Sequence, residues 1–170
     1  MLPPGPMSRF LDQAKAVVGA ENVIHYPEDL LVFEYDGSVD RGMPGAVVFP
    51  ISVEEVSQVM ALAYGESLSV VGRGAGTGLS GGAISSPGGV QIAFTRMHHI
   101  LDVDTENRTA TVEPGVINLD LDVYAHRFGL RYAPDPSSQK ACSLGGNIAE
   151  NAGGPHCLAY GTTTNHVLGM

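Results

Sequence analysis

Residues 70–83 read VVGRGAGTGLSGGA, a glycine-rich loop that follows a short apolar run. Eight glycines fall within residues 72–89. Glycine has no Cβ, so the backbone N–H groups of such a loop can approach a bound anion closely. Residues 67–101 contain no Asp or Glu but include Arg73 and Arg96, in a chain of net charge −9. This pattern predicts a phosphate or pyrophosphate site, and the alternative is a glycine-rich connection without a ligand.

The loop contains sequences that imitate other known motifs. Residues 76–81 (GTGLSG) match the dinucleotide fingerprint, but that motif opens a helix, which the following GAISSPGG at 82–89 cannot form. Residues 78–82 (GLSGG) match the nucleophile elbow of hydrolases, which needs a strand directly before it and a helix directly after it. The Lys-Ser/Thr pair of a P-loop is absent. We therefore expect no Rossmann NAD site, serine hydrolase or NTPase.

A strand–helix–strand pattern precedes the loop. Ser52, with Glu55 three residues later, forms a capping box and predicts the start of a helix. The predicted apolar face and end of this helix are Val53, Val56, Val59, Met60, Ala63 and Gly65. Strands are predicted at 46–50 and at 67–71, with Gly72 ending the second strand. A connection of this kind predicts parallel strands covered by the helix.

Further elements are predicted on both sides of this unit. They are a helix from Ser8, its N-cap, to Gly19, an extended connection over 35–45, a strand over 90–94, a hairpin of 100–103 with 109–112, a helix over 118–128 and the start of a strand at 165–170.

A second glycine-rich segment spans residues 143–154. Gly145-Gly146 predict another close approach of backbone to a ligand, and Ile148-Ala149 predict the start of a short helix directed at the same anion. Two such segments about seventy residues apart suggest a long ligand held at several points, such as a dinucleotide cofactor.

Composition excludes several classes of function. An acidic chain lacks the clustered Lys and Arg that nucleic acids and anionic membranes require. No apolar run reaches the length of a membrane span, and the N-terminus lacks the features of a secretory signal. The six histidines and two cysteines show no zinc-ligand spacing, so we expect no metal site. We expect a cytoplasmic protein, with any membrane association made through partner subunits.

The motifs together resemble the FAD-linked oxidases of the vanillyl-alcohol oxidase/p-cresol methylhydroxylase (PCMH) family. The segments that carry the resemblance are 70–83, 132–139 (YAPDPSSQ), 145–154 (GGNIAENAGG), 160–161 and 165–169. Within the family, the chain is most similar to the flavoproteins that oxidise glycolate, D-lactate and D-2-hydroxyglutarate. The resemblance covers about residues 20–170 and implies an α+β, PCMH-type FAD-binding fold of two α/β subdomains with FAD between them.

The resemblance also implies a division of the chain and a set of FAD contacts. The parts are an N-terminal helix and extended connection (1–45), a first FAD-binding subdomain (46–103) and the start of a second, incomplete one (104–170). The implied diphosphate-binding residues are Arg73, Gly74, Ala75, Gly76, Thr77, Gly78, Ser80, Gly81 and Gly82. Pro134, Asp135 and Ser138 would lie along the isoalloxazine, and Ser143, Gly145, Gly146, Ala149, Asn151, Gly153 and Gly161 along the rest of the cofactor.

The chemistry implied by the resemblance is hydride transfer from C2 of a D-2-hydroxy acid to the flavin. No histidine matches the covalent flavin link of some relatives, so we expect non-covalent FAD. The substrate domain of the relatives is missing, so no catalytic residue can be assigned, and we expect these 170 residues alone to be inactive. The alternative is a non-catalytic flavin- or nucleotide-binding module completed by a partner chain. Self-association through residues 134–170 is a further expectation.

Overall fold

The computed structural model describes residues 5–170. The chain divides into two compact units, one reaching to Arg96 and the other comprising Met97–Met170. Helices and strands occur in both units, which confirms the predicted α+β class. Among the described residues, no helix is long and apolar enough to span a bilayer.

A four-stranded sheet organises the first unit. Its strands are β1 (Val23–Ile24), β2 (Ala46–Val48), β3 (Val70–Arg73) and β4 (Val90–Ala93), and its helices are α1 (Pro6–Val18), α2 (Pro27–Leu30) and α3 (Val53–Gly65). The strand order is β1-β2-β4-β3, with β2, β4 and β3 parallel and β1 antiparallel to β2. The predicted parallel strands are confirmed, and β4 lies between them.

The two faces of the sheet are covered by different side chains, because successive residues of a strand point to opposite faces. Ala46 and Val48 belong to the larger core cluster, whereas Val47 belongs to the smaller one. The larger cluster also contains three side chains of α1 and two of α3, namely Phe10, Ala14, Val18, Val59 and Ala63. Their spacing of four residues places them on one face of each helix.

Several predicted boundaries of the first unit are wrong. Ser8 does not cap α1, which begins at Pro6 after Gly5, a position that proline favours because it has no N–H to satisfy. Strand β3 does not end at Gly72 but includes Arg73. Val53 and Met60, predicted on the buried face of α3, are 69% and 45% exposed.

The N-cap of α3 is confirmed and gives a stability prediction. Ser52 Oγ accepts a hydrogen bond from Glu55 N at 3.2 Å, and Glu55 Oε2 accepts one from Ile51 N at 2.8 Å. Ser52→Ala removes the first acceptor, so we expect the free energy of unfolding to fall by about 1 kcal/mol. Urea denaturation measures the change. Ser52→Asp, which keeps an acceptor, should recover most of the loss, and equal losses in the two variants would contradict this role.

The second unit contains the predicted hairpin and three helices. The elements are β5 (Ile100–Asp104), β6 (Thr109–Val112), α4 (Asn118–His126), α5 (Leu144–Ala149) and α6 (Cys157–Tyr160). Strands β5 and β6 are antiparallel, which confirms the hairpin. The core cluster of this unit consists of Val116, Leu121 and Leu144, with Ile100, Val112 and Tyr132 packed against it.

The predicted strand at 165–170 is wrong. Thr163–His166 form a 3-10 helix, and residues 167–170 have no regular structure. Thr162 and Asn165 form a capping box at its start, with a hydrogen bond of 3.1 Å from Thr162 N to Asn165 Oδ1. Local hydrogen bonds from Thr and Asn side chains therefore override the apparent strand pattern here.

Candidate functional site

The glycine-rich loop leaves the sheet at the carboxyl end of β3. Among the described residues, the N–H groups of residues 75–79 donate to no protein acceptor. Gly76 and Gly81 have φ of +68° and +80°, values that glycine adopts without strain. A row of unpaired N–H groups on glycine-rich backbone is suited to bind an anion.

A buried cation lies beneath this loop. Arg73 is 7% exposed, and its Nη2 donates to Tyr35 O at 2.9 Å. Its Nη1 is buried with no protein partner among the described residues. The guanidinium carbon lies 5.5 Å from the centroid of the Phe33 ring. Burial lowers the pKa of the Arg73 guanidinium, and the Asp36 carboxylate opposes that shift.

A segment far from the loop in sequence holds both of its ends. We call residues 33–45 the support segment. Asp36 Oδ2 accepts from Ala83 N at 3.4 Å, near the far end of the loop, while Tyr35 O binds Arg73 at the near end. Gln91, fully buried on β4, donates from Nε2 to Phe33 O at 2.9 Å and to Ala83 O at 3.1 Å.

The region is not free of acid in space, although the sequence window 67–101 is. Asp36 is 7% exposed, and a Cβ on Gly81 would lie 3.5 Å from Asp40 Oδ2. Burial acts to raise the pKa of Asp36, but hydrogen bonds from Ser38 and Ala83 and the charge of Arg73 outweigh it and hold the pKa below its ordinary value. The sequence does not indicate either carboxylate, because both belong to residues 35–45, whose pattern predicts only an extended connection.

The lowered pKa of Asp36 predicts a pH-dependent contribution to stability. A carboxylate with a depressed pKa stabilises the fold above its ordinary pKa of about 4, and this contribution is lost as the pH falls through the folded-state value. We expect Asp36→Asn to destabilise the protein at pH 7 and the difference from wild type to shrink at pH 3. Urea denaturation of both proteins measures it, and equal differences at the two pH values would contradict the assignment.

Residues 144–149 of the second glycine-rich segment form helix α5. Ser143 is its N-cap and accepts from Gly146 N at 3.3 Å. Gly145 N donates to Pro114 O at 2.8 Å, and a Cβ on Gly145 would lie 2.7 Å from Pro114 Cβ. The predicted helix start at Ile148 is therefore wrong, because Ile148 is near the end of α5. Since these N–H groups bind protein oxygens, any ligand contact here uses other atoms.

The Pro-Asp-Pro stretch is fixed by two polar side chains. Asn118, fully buried, donates from Nδ2 to Pro134 O at 3.1 Å. His156 Nδ1 lies 2.5 Å from Asp135 Oδ2, and His156 N donates to Asp135 Oδ1 at 3.3 Å. The side-chain hydrogen bond from His156 lowers the pKa of Asp135, although partial burial acts in the opposite direction. Ser138 O accepts from Ala141 N and Cys142 N, each at 2.8 Å.

The remaining candidate positions follow α5. Asn151 has φ +49°, and its Oδ1 accepts from Thr164 N at 3.1 Å. Gly153 leaves room for Cys157 Sγ, which a Cβ would approach to 2.5 Å. Gly161 has φ +80° after α6, and Ala149 is exposed at the end of α5. The first unit thus contains the predicted residues from Arg73 to Gly82, and the second unit contains all the others.

Metal-ligand geometry is not found at either segment. In the part of the chain that the structure describes, no group of three His, Cys, Asp or Glu residues could hold a metal ion.

Known proteins are similar to this chain in sequence and in fold. Residues 44–170 match a family described as FAD binding domain. The glycolate oxidase subunit GlcD of Escherichia coli K12 is 47% identical over 147 residues, which cover 86% of this chain and 30% of that protein. D-lactate dehydrogenase of Archaeoglobus fulgidus is 44% identical over 124 residues, which cover 73% of this chain and 28% of that protein. D-2-hydroxyglutarate dehydrogenase of Stutzerimonas stutzeri is 35% identical over 162 residues, which cover 95% of this chain and 35% of that protein.

Solved structures show the same fold at low sequence identity. An alkyldihydroxyacetonephosphate synthase matches with a TM-score of 0.85 and 24% identity over 99% of this chain and 33% of that one. p-Cresol methylhydroxylase matches with a TM-score of 0.78 and 20% identity, and the match covers 89% of this chain and 30% of that one. The chain spans about a third of the length of its curated relatives. Because the family match covers most of the sequence, this chain belongs to the family of FAD-binding domains with the PCMH-type fold.

Proposed function

We propose that this chain is the FAD-binding portion of an oxidoreductase that oxidises a D-2-hydroxy acid of the glycolate or D-lactate type. The observation that carries the proposal is the glycine-rich loop, whose N–H groups at residues 75–79 are unpaired above the buried Arg73. The substrate class is supported by the three relatives, whose names specify glycolate, D-lactate and D-2-hydroxyglutarate.

The residues of the first unit fit the diphosphate of FAD. Unpaired backbone N–H groups supply hydrogen bonds to phosphate oxygens, and Arg73 supplies positive charge and an unpartnered Nη1. The two nearby carboxylates differ in their effect on this fit, because the negative charge of Asp36 is already stabilised by hydrogen bonds from Ser38 N and Ala83 N and by the positive charge of Arg73. Asp40 lies beside Gly81, and its negative charge would repel an anion there. Residues 75–79 are therefore the favoured position for the anion.

The proposed FAD contacts are those predicted from the sequence. In the first unit they are Arg73, Gly74, Ala75, Gly76, Thr77, Gly78, Ser80, Gly81 and Gly82. In the second unit they are Pro134, Asp135, Ser138, Ser143, Gly145, Gly146, Ala149, Asn151, Gly153 and Gly161. Binding is proposed to be non-covalent. FAD, when bound, supplies the two-electron oxidation chemistry. The residues of this chain bind and orient the cofactor and contribute no proposed acid or base.

A chimera tests the proposed activity. We expect the 170-residue chain with FAD to oxidise neither glycolate nor D-lactate. Replacing the matching segment of Escherichia coli GlcD with this chain should give a chimera that reduces a dye with glycolate. The chimera carrying Gly76→Ala is the matched control and should lose FAD and activity together. Turnover by the chain alone would refute its inactivity, and an FAD-loaded chimera that reduces no dye with glycolate would refute the proposal that this segment supports the oxidation of a hydroxy acid.

A non-catalytic module that works with a partner chain is the second candidate. It is favoured by strongly exposed apolar side chains in the second unit, among them Leu158 and Leu168. Such side chains also favour self-association. Light scattering of the purified chain, and analysis of any polypeptide that co-purifies with it, separate the cases. A clean monomer without a partner would contradict both forms of association.

A further inference from the structure

We propose that the support segment (residues 33–45) is an essential part of the cofactor site, because it fixes the direction in which the loop presents its N–H groups. The family match begins at residue 44, so almost all of this segment lies before it. This inference rests on the proposed function, since it assigns the loop to the FAD diphosphate. The residues of the support segment are positioning residues, which act on the cofactor through the loop.

The contact at Gly37 shows the direction of the loop peptides. A Cβ on Gly37 would lie 2.7 Å from Gly78 O and 3.0 Å from Thr77 O, so both carbonyl oxygens lie against the support segment. In a planar trans peptide, the C=O and N–H groups point in opposite directions. The N–H groups of Gly78 and Leu79 therefore point away from the support segment, where an anion can reach them.

Glycines of the support segment allow this close backbone contact. A Cβ on Gly42 would overlap Ser85 O, and one on Gly45 would lie 2.7 Å from Gly88 O. Hydrogen bonds fasten the same stretch, from Gly45 N to Gly89 O at 2.7 Å and from Gly88 N to Met43 O at 3.0 Å. Backbone therefore packs directly on backbone, and any larger residue would push the two segments apart.

Polar side chains complete the attachment of the support segment. Arg73 and Gln91 donate to Tyr35 O and Phe33 O, while the Asp36 carboxylate accepts from Ala83 N. The loop is thus held at both ends and in the middle, where Gly37 contacts its carbonyls. Such a restraint lowers the conformational entropy that binding would otherwise cost.

The test compares Gly37→Ala with Gly65→Ala in the whole chain. A Cβ on Gly65 would have no atom within 4 Å, so the same substitution there disturbs no contact. We expect Gly37→Ala to weaken FAD binding about tenfold, because misdirected N–H groups lose hydrogen bonds to a charged phosphate. Gly65→Ala should bind FAD like wild type. Fluorescence titration gives the dissociation constants, and thermal unfolding without FAD monitors folding.

Asp36→Asn is the second variant, for use if Gly37→Ala does not fold. It keeps the size of the side chain, and we expect it to weaken FAD binding about threefold to tenfold. The ³¹P resonances of the FAD diphosphate at saturation are the readout that separates positioning from stability. Positioning predicts shifted resonances in the variant, whereas a purely structural role predicts resonances at their wild-type positions.

The outcomes distinguish the inference from the proposed function. If the wild-type chain does not bind FAD, the proposed function fails and the inference fails with it. If wild type binds FAD and the variants bind equally well with unchanged ³¹P resonances, only the inference is overturned. Weaker binding in Gly37→Ala or Asp36→Asn, with shifted resonances and with Gly65→Ala like wild type, supports it.

Discussion

Replacing Gly76 with alanine is expected to weaken FAD binding on the order of a hundredfold. Gly76 has φ +68°, a conformation that costs an L-residue about 1–2 kcal/mol. Its Cβ would also overlap the guanidinium of Arg73, which is buried and held by Tyr35 O. Relief of the backbone strain and of this overlap requires the loop backbone to move, and the N–H groups of residues 75–79 move with it. Fluorescence titration with FAD measures the loss.

Gly129→Ala is the matched control for this prediction. Gly129 has a similar φ of +69°, but no atom lies within 4 Å of its Cβ position. We expect it to lower stability through backbone strain alone and to leave the FAD dissociation constant within about twofold of wild type. Equal losses of affinity in the two variants would show that the Arg73 contact has no part in the effect.

Replacing Phe10 with alanine is expected to give the largest loss of stability, about 3–5 kcal/mol. Phe10 is fully buried and belongs to the core cluster with Val48 and Val59. Its removal leaves a cavity where α1 packs against the sheet and α3, because neighbouring side chains collapse only partly. Urea denaturation followed by circular dichroism measures the change.

Tyr64→Ala is the control for truncation of an aromatic residue. Tyr64 lies on α3 and is 87% exposed. Its removal should change the free energy of unfolding by no more than about 0.5 kcal/mol. A loss at Phe10 as small as that at Tyr64 would mean that α1 does not form part of the core.

The elements that sequence predicted well are those defined by local chemistry. The Ser52 cap, the parallel strands on either side of α3 and the turn of the hairpin each follow from residues close in sequence. In that turn, Asp104 Oδ1 accepts from Glu106 N and Asn107 N, both at 2.9 Å. The cluster of glycines also predicts the loop, because glycine disfavours the interior of helices and strands and permits backbone conformations with positive φ.

What sequence did not predict depends on contacts between distant segments. The packing of residues 33–45 on the loop joins positions about forty residues apart, and no local pattern specifies it. Two signals were present: glycines at 37, 42 and 45, and a lone Gln91 in the otherwise apolar strand Val90–Ala93. The pattern at Ile148-Ala149 predicts the start of helix α5 too late in the sequence, although Ser143 before Gly145 and Gly146 is a good N-cap for a helix.

The measurement that tests the central claim most directly is a visible absorbance spectrum of the chain after addition of FAD and desalting. The account predicts that a flavin band stays with the wild-type protein and that Gly76→Ala loses most of it on the same column. A colourless wild-type protein that is folded by circular dichroism would contradict the claim that these residues form an FAD site.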